Sequence, residues 1–216
     1  MEKKYKLTDE TINVGGKKLC RIEALKDFGD VKKGDKGGFI EDEHNLSHDG
    51  NSWVCDNARV CDNAWVYGDA WVYGNAWVCG DAWVYDNAWV YGDAWVYGNA
   101  WVCGDAWVYD NARVCGDAWV YDNAWVYGDA RVYGNAWVCG DAKIENNSDY
   151  IVFKNWWSSG RFFTWTRSND MWKVGCFSGT GEELIKKAYQ DSEKSGREYE
   201  RVVKYIEEIK KENYEK

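Results

Sequence analysis

Trp71-Val72-Tyr73-Gly74-Asn75-Ala76 is one of fifteen consecutive six-residue repeats that run without an insertion from Trp53 to Ala142. Each repeat, here a hexad with positions one to six, reads Trp/Arg, Val, Tyr/Cys, Gly/Asp, Asp/Asn, Ala. Val at position two and Ala at position six occur in all fifteen copies. This period fits neither an α-helix nor an uninterrupted strand. We therefore predict a short strand followed by a tight corner in every hexad.

The chemistry of the hexad predicts how the chain coils. Alternation along a strand places Val on one side and positions one and three on the other. Positions four and five carry residues that tolerate left-handed backbone geometry, which suits a corner, and Ala fits inside that corner. Three hexads close a triangular coil, and successive coils stack about 4.8 Å apart. The fifteen hexads thus predict five coils, a prism about 24 Å long, over residues 53–142.

Val72-Tyr73-Gly74-Asn75-Ala76 and its counterparts resemble the hexapeptide repeats of left-handed parallel β-helix proteins. This resemblance implies a left-handed coil. It is strict over residues 53–142 and extends weakly to Ser47–Ser52 and Lys143–Ser148. The superfamily includes acyltransferases and γ-class carbonic anhydrases, many of them trimers. We therefore expect a mainly β fold with a β-helix over residues 47–148.

Residues 1–46 are expected to cap the β-helix, because a solenoid end otherwise leaves strand edges unpaired. Thr11–Val14 and Lys17–Ile22 flank Gly15-Gly16, which predicts a hairpin. The glycine-rich segment 34–38 is expected to turn the chain into the first coil. Residues 34–40 and 172–177 are also similar to segments of hexapeptide-repeat proteins of Gram-positive bacteria and their phages.

Residues 149–216 are expected to form a small α+β domain with three strands and two helices. Capping boxes at Thr180–Glu183 and Ser195–Glu198 predict the two helix starts. The first helix is expected to end near Ser192. The second carries one apolar face, formed by Tyr199, Val202, Val203, Ile206 and Ile209. The predicted strands are Tyr150–Phe153, Arg161–Thr166 and Met171–Phe177.

Signals for catalysis are weak. The transferases of the superfamily use a catalytic His, commonly with loops between coils, and its carbonic anhydrases place three His on zinc. Here no loop interrupts the hexads, and the two His of the chain, His44 and His48, precede them. We therefore predict no catalytic residue, no cofactor, and a role in the cap for both His. The alternative is an acyltransferase-like enzyme whose site lies at a subunit interface.

The eight Cys predict no metal site, because they form no C-x-x-C pair and have no His partner. Six of them replace Tyr at position three of a hexad. Cys61 and Cys79 are the two that fall on adjacent coils of one side, eighteen residues apart. We expect these thiols to be small outward-facing substitutes for Tyr, and reduced in a cytoplasmic protein.

The net charge of −9 arises in the prism, where 12 Asp oppose 3 Arg. This argues against direct nucleic-acid binding. The prism carries one charge per about 2.7 Å against one per ~1.7 Å in duplex DNA, so DNA mimicry is one interpretation. Corners also demand Asp and Asn, which is the structural alternative. With neither a membrane-length apolar run nor a secretory signal in the sequence, we expect a cytoplasmic location.

Twelve Trp and nine Tyr of the prism are expected to point outward, more than a soluble monomer should expose. Every third hexad shares a side, which defines three faces by their position-one residues. All three Arg fall on face three, so we expect it to stay in water while faces one and two form an interaction surface. Face one has Trp53, Trp71, Trp89, Trp107 and Trp125; face two has Trp65, Trp83, Trp101, Trp119 and Trp137; face three has Arg59, Trp77, Trp95, Arg113 and Arg131.

These patterns predict a non-enzymatic binding or scaffold protein. Its expected partner is itself, as a homotrimer that buries faces one and two, or a host protein such as a defence component if a phage encodes it. A monomer whose aromatic ladders cover themselves is the competing expectation. Sugar stacking on the aromatic rings remains open, whereas ice binding would need Thr rows that the hexads lack.

Overall fold

A computed structural model describes residues 2–214, with side chains through residue 212, and the fold is mainly β. The chain divides between Asp149 and Tyr150 into two compact units. The first contains the prism and its N-terminal cap, and the second is the α+β domain. Residue 1 of the predicted N-terminal cap and residues 215 and 216 of the predicted C-terminal domain lie outside the described part of the chain.

Each hexad contributes one two-residue strand at positions one and two, followed by a turn. Three parallel sheets result, one for each face. Strands β4 to β18 of the prism are, in chain order, Trp53–Val54, Arg59–Val60, Trp65–Val66, Trp71–Val72, Trp77–Val78, Trp83–Val84, Trp89–Val90, Trp95–Val96, Trp101–Val102, Trp107–Val108, Arg113–Val114, Trp119–Val120, Trp125–Val126, Arg131–Val132 and Trp137–Val138. A further strand, β19 (Lys143–Ile144), extends face one.

Successive coils stack in register, with each residue over the one eighteen positions along the chain. Trp89 pairs with Trp107 and Val90 with Val108. Main-chain hydrogen bonds join the coils at every rung; the Trp89 amide, for example, donates to the Ala106 carbonyl at 2.9 Å. The β-solenoid predicted from the hexads is therefore confirmed, and its like residues form continuous columns.

The interior consists of the position-two valines and position-six alanines. Across residues 53–142, all of which the structure describes, every one of these side chains is fully buried. Position four has a positive φ in all fifteen hexads, whether Gly or Asp occupies it. At Gly104 an added Cβ would lie 2.9 Å from the Asp122 amide nitrogen, so the left-handed corner is also tightly stacked.

The solenoid begins one coil before the strict hexads. Strand β3 (Lys36–Ile40) lies parallel to β5, with Phe39 opposite Arg59, and Leu46 bridges to Val66. Both pairs are twenty residues apart, so the first coil holds two extra residues. The prediction that Ser47–Ser52 is a degenerate hexad in the common register is wrong, because Leu46 takes the inward place that His48 would have filled.

Strands β1 (Tyr5–Val14) and β2 (Lys17–Ala24) form the predicted antiparallel hairpin. Gly15 and Gly16 make its turn with φ of 58° and 84°. Gly37 and Gly38 were expected in a turn, but both lie buried in β3. A Cβ on Gly38 would lie 2.6 Å from the Ala58 carbonyl oxygen, so glycine lets this strand cross the end of the prism.

Lys4 and Tyr5 join the hairpin to the enlarged first coil, and both are fully buried. The Lys4 ammonium donates to the carbonyl oxygen of Ser52 at 2.8 Å and also faces those of Asp49 and Gly50. The Tyr5 hydroxyl donates to the Leu46 carbonyl at 2.8 Å. Each coil's amides donate to carbonyl groups of the following coil, so the first coil has no preceding coil to supply donors, and Lys4 and Tyr5 satisfy some of its carbonyl groups instead.

The second unit has four strands and two helices in its described part, where three strands were predicted. Gly175, with φ of 55°, breaks the predicted Met171–Phe177 strand into a hairpin. Strands β20 to β23 form one antiparallel sheet in chain order. They are Tyr150–Lys154, Phe162–Thr166, Met171–Val174 and Phe177–Gly179.

Helices α1 (Gly181–Asp191) and α2 (Glu193–Tyr214) cover this sheet. The Thr180–Glu183 capping box is present as predicted. The second predicted cap at Ser195 is wrong: the Ser192 hydroxyl accepts from the Ser195 amide at 3.1 Å, so α2 begins three residues earlier. Within the described residues, no helix is long and apolar enough to cross a membrane. The predicted apolar face of α2 packs into the core through Tyr199, Val203 and Ile206, with Val202 and Ile209 at its margin.

Replacing Ala106 by Leu should overpack a corner and lower the free energy of unfolding by about 1–3 kcal/mol. Ala106 is fully buried, whereas Tyr133 is 59% exposed. Tyr133→Leu is therefore the control, expected to change stability little. Chemical denaturation measures both variants; equal stability of Ala106→Leu and the parent would contradict the assigned interior.

Replacing Lys4 by Met should lower the free energy of unfolding by about 1–3 kcal/mol, because buried carbonyl groups lose their donor. Burial lowers the pKa of Lys4 from 10.5 to about 8. The unfolded chain then binds more protons than the folded protein between those pH values, so the Lys4 contribution to stability grows as pH rises through this window.

Denaturation at pH 7 and pH 10 tests this, with the surface variant Lys6→Met as control. The difference between parent and Lys4→Met should be larger at pH 10. A Lys4→Met variant as stable as Lys6→Met at both pH values would rule out the bonding role.

Candidate functional site

The structure assigns the aromatic residues to the three faces as predicted. Face one is the sheet β4, β7, β10, β13, β16 and β19, and face two is β6, β9, β12, β15 and β18. Face three continues from β3 through β5, β8, β11, β14 and β17. The position-one residues of each face therefore form a single column on the outer surface.

Face two carries the most regular aromatic ladder. Trp83, Trp101, Trp119 and Trp137 stack with ring centroids 5.0, 4.6 and 4.9 Å apart. Their planes deviate from parallel by 1°, 8° and 13°. At the cap end, Trp65 meets Trp83 edge to face. The rung spacing of the sheet thus fixes four indoles in one continuous stack.

Face one pairs a Trp ladder with a Tyr ladder. Trp89 and Trp107 stack at 5.7 Å, and Trp107 and Trp125 at 5.3 Å. Beside them, the position-three column of Tyr73, Tyr91, Tyr109 and Tyr127 stacks at 4.8–5.2 Å with planes within 7°. Tyr and Trp rings meet edge to face, as do Tyr91 and Trp107. Face two has a Tyr column as well, but Cys103 and Cys139 interrupt it, so face one carries the more continuous Tyr ladder.

Stacking covers much of each ring, so the surface is less bare than the sequence suggested. Within the prism, all of which is described, the most exposed Trp residues are Trp65 at 37%, Trp89 at 36% and Trp95 at 37%. Trp53, predicted to belong to the interaction surface, is 2% exposed, because Phe28 and Tyr5 pack edge-on against it. The available surface of face one therefore begins at Trp71.

Face three carries the three Arg residues of the prism, and their surroundings differ along its length. The Arg113 guanidinium lies 5.1 Å from the Trp95 ring centroid, a cation–π contact. Arg131 is exposed, while Arg59 and Arg113 are half-buried. The prediction that the exposed side includes Arg59 is wrong for this residue, since the cap strand β3 stacks directly on it through Phe39.

More than half of the prism's aspartates occupy position five of a hexad. Along the chain this position alternates Asn and Asp from Asn63 onward. Because a coil holds three hexads, an odd number, the alternation also places Asn and Asp on top of each other in every column. Six Asn side-chain amides donate to the Asp one coil later at 2.8–3.2 Å. The pairs are Asn63–Asp81, Asn75–Asp93, Asn87–Asp105, Asn99–Asp117, Asn111–Asp129 and Asn123–Asp141.

The remaining aspartates occupy position four of a hexad. Each Asp there has the left-handed φ of a corner and a Gly one coil later. Its carboxylate accepts the amide hydrogen of that Gly, as Asp56 does from Gly74 at 3.1 Å. Asp62, Asp86, Asp110 and Asp122 do the same with Gly80, Gly104, Gly128 and Gly140.

The seventh position-five aspartate, Asp69, accepts the side-chain amide of Asn51 from the first coil at 2.8 Å. All twelve aspartates of the fully described prism thus have a partner in a neighbouring coil. Their number follows from corner chemistry, without any ligand. This supports the interpretation that the Asp residues serve the corners of the prism over the interpretation that they mimic DNA.

His44 and His48 line one cavity of about 440 Å³ with Glu43, Trp65 and Trp83, at the cap end of face two. The His48 ring stacks on Tyr5 at 4.4 Å, and its Nδ1 accepts the Lys4 amide hydrogen at 3.2 Å. His44 Nε2 lies 2.8 Å from the Asp62 carbonyl oxygen. Burial lowers the pKa of His48, against the opposing effect of Glu43. Both His therefore make structural contacts in the cap.

Cys61, Asp62 and Cys79 form a cluster that the sequence analysis did not identify as a site. Their sulfur and carboxylate ligand atoms all lie within 4.8 Å of one another. Cys61 is 2% exposed, so the expectation of an outward thiol is wrong there. Its cover comes from the cap, because Leu19 and Phe39 pack against it. Cys139 is also buried, contrary to the same expectation.

Hydrogen bonds organise this cluster. The neighbouring Cys79 thiol lowers the pKa of Cys61, and Trp77 Nε1, which donates to Cys61 Sγ at 3.3 Å, acts in the same direction. The Cys61 thiol in turn raises the pKa of Cys79. The Lys17 ammonium contacts Asp62 and lowers the pKa of that carboxyl group. The signal for this cluster in the sequence was the eighteen-residue spacing of the two cysteines.

The second unit has its own cavity of about 460 Å³ between its sheet and helices. Arg161 and Lys187 line it with Asp191, Cys176 and the buried Tyr199. The Tyr199 hydroxyl accepts a hydrogen bond from Asn155 at 3.0 Å. The residues that line this cavity carry both positive and negative charge, and they indicate no particular ligand.

Comparison with known families agrees with the geometry of the prism. The chain is a repeat β-helix protein. Five segments of the repeat match the YdcK beta solenoid repeat family, and no curated protein matches the chain. The matching segments are residues 58–74, 82–98, 106–122, 112–128 and 124–140.

Replacing Asn99 by Asp should break the alternation in one column, because the new carboxylate would then stack between those of Asp81 and Asp117. The lost hydrogen bond and the added repulsion should lower the free energy of unfolding by about 1–2 kcal/mol at pH 7. Asn99→Ser is the matched control, which removes the amide without adding charge.

Repulsion would raise the pKa of the new carboxyl group in the folded state. The extra loss of stability should therefore be complete at neutral pH and vanish below about pH 4, where the carboxyl group is protonated in both states. Chemical denaturation of both variants at pH 3.5 and pH 7, in low and high salt, measures this extra loss of stability. Equal stability of the Asp and Ser variants at pH 7 would contradict the pairing.

Proposed function

We propose that this protein is a non-enzymatic binding scaffold that engages a protein partner through faces one and two of the prism. The observation that carries the proposal is the ladder of stacked indoles on face two. Trp83, Trp101 and Trp119 are held there with almost parallel planes at rung spacing. Such a surface is broad, regular and apolar.

Rigidity makes this surface suitable for binding. Each ring is anchored to a main-chain ladder and held between neighbouring rings, so little side-chain freedom remains to be lost on association. Aromatic side chains also supply large contact areas and are frequent among residues that dominate binding energy. A partner that stacks on several rungs would gain contact area with little ordering cost.

The corners define the polar rim of that surface. Aspartates such as Asp93 and Asp105 flank the aromatic columns and remain exposed. A complementary partner would present an apolar patch bordered by Lys or Arg side chains. Face three, with Arg113 over Trp95, would stay in water.

Self-association is a second form of this binding, and it would rest on the aromatic columns alone because both subunits carry acidic corners. In a ring of three prisms, face one of each subunit would meet face two of the next, a heterologous contact that closes. We propose such a homotrimer, in line with the resemblance to hexapeptide-repeat proteins.

The resemblance to proteins of Gram-positive bacteria and their phages supports a further proposal about setting. A phage-encoded chain would act in the host cytoplasm, with a host protein, such as a defence component, as its target.

The alternative function is an acyltransferase-like enzyme. The observation that favours it is the cavity shared by His44, His48 and Glu43 beside the Trp65 ring. A bound acyl donor within hydrogen-bond reach of either His would favour this alternative over the scaffold.

Light scattering of the parent and of two variants tests the scaffold. Trp89→Arg combined with Trp101→Arg places charge on faces one and two, whereas Trp95→Arg is the control on face three, where Arg already occurs. Trp89 and Trp95 are equally exposed, at 36% and 37%. The double variant should fall from a trimer to a single chain of 25.0 kDa, and the control should not.

A parent that is monomeric at micromolar concentration would rule out the homotrimer. Capture from host lysate then provides the second arm: one partner should bind the parent and the Trp95→Arg control, but not the double variant. Equal capture by all three proteins would reject faces one and two as the binding surface.

A further inference from the structure

We propose that Cys61, Cys79 and Asp62 form a binding site for a thiophilic divalent cation of the zinc class. The site lies where the N-terminal cap packs against face three. The structure brings the three side chains together from two successive coils, although the sequence contains neither a C-x-x-C motif nor a nearby His in the repeat.

The spacing of the ligand atoms fits tetrahedral coordination. Zinc bonds of about 2.3 Å to sulfur and about 2.0–2.2 Å to oxygen require ligand atoms roughly 3.5–4 Å apart. Cys61 Sγ lies 3.8 Å from Asp62 Oδ2, and the three ligand atoms lie within 4.8 Å of one another. Small side-chain rotations would therefore suffice to close the site around an ion.

Neighbouring groups are placed to orient these ligands. Lys17 contacts Asp62 Oδ1, which leaves Oδ2 on the side of Cys61. The Gly80 amide donates to the same Oδ2 at 3.1 Å, and Trp77 Nε1 donates to Cys61 Sγ. Such outer contacts fix ligand geometry in protein metal sites.

A divalent ion would compensate most of the charge of the site. Two thiolates and one carboxylate carry three negative charges, against two positive charges on the ion and one on the Lys17 ammonium. Glu41 shares Lys17 at 3.0 Å and accepts the Asp62 amide at 2.7 Å, so one net negative charge remains in the loaded site. Binding would release the thiol protons to solvent, and water would complete the fourth coordination position.

This arrangement occurs at one place in the fully described prism. Each of the six hexad cysteines stacks on the position-three residues of adjacent coils, but Cys61 and Cys79 are the pair that stack on each other. Cys103, by contrast, lies between Tyr85 and Tyr121 in its column. Leu19 and Ile12 of the cap hairpin pack against the Cys61 side, so the site is partly shielded from water.

Titration of the chelator-treated full-length protein with Co²⁺, followed by Zn²⁺, tests the proposal. We expect one Co²⁺ per chain, with the thiolate-to-metal absorption and the visible bands of tetrahedral cobalt. Zn²⁺ should abolish both signals and raise the melting temperature of the protein.

Cys79→Ser should lose the thiolate absorption, and Asp62→Asn should weaken Co²⁺ binding at least tenfold. Asn tolerates the left-handed backbone of residue 62, whose φ is 59°, so this variant should keep the corner intact. Cys103→Ser is the matched control and should bind like the parent.

Two outcomes would overturn the proposal. One is a parent with no more cobalt signal than Cys79→Ser; the other is equal binding by the parent, Cys79→Ser and Asp62→Asn. Melting temperatures measured without metal establish whether each variant is folded, so that a loss of binding reflects the ligand and not the fold.

Discussion

The rest of the prism depends on one constraint: each residue must stack on the residue eighteen positions later. Three hexads close a coil, and three is an odd number. From Asn63 onward, strict alternation of Asn and Asp along the chain therefore becomes alternation up each corner column, where Asn amides donate to Asp carboxylates. At position four, the same stacking places a Gly amide over each Asp. A highly acidic surface is thus compatible with coils about 4.8 Å apart, since no carboxylate stacks directly on another.

The same constraint gives the faces their properties. Val and Ala leave no room for variation inside, so differences between hexads appear outside, as ladders of Trp, Tyr and Arg. A ladder such as Trp101 on Trp119 is rigid because the sheet beneath it is rigid. The cysteine cluster has the same origin: Cys61 and Cys79 meet because a single column carries Cys in two successive coils.

Much of this was predictable from the sequence, and the failures have physical causes. Periodicity predicted the sheets, the register, the interior and the sorting of residues such as Trp89 and Arg113 into faces. It could not reveal that Leu46 takes an inward place, because two extra residues shift the first coil out of the hexad register. Nor could it show that the cap covers Trp53 and Cys61, since those contacts join segments far apart in the chain.

Two internal deletions test the corner constraint most directly. Removing residues 89–106 deletes three hexads and would stack Asp117 on Asp81 and Asp122 on Asp86. Removing residues 89–112 deletes four hexads and keeps every Asn–Asp and Asp–Gly pairing across the junction. We predict that the shorter protein has the higher free energy of unfolding at pH 7 and low salt. Greater stability of the longer protein, as chain length alone would suggest, would contradict it.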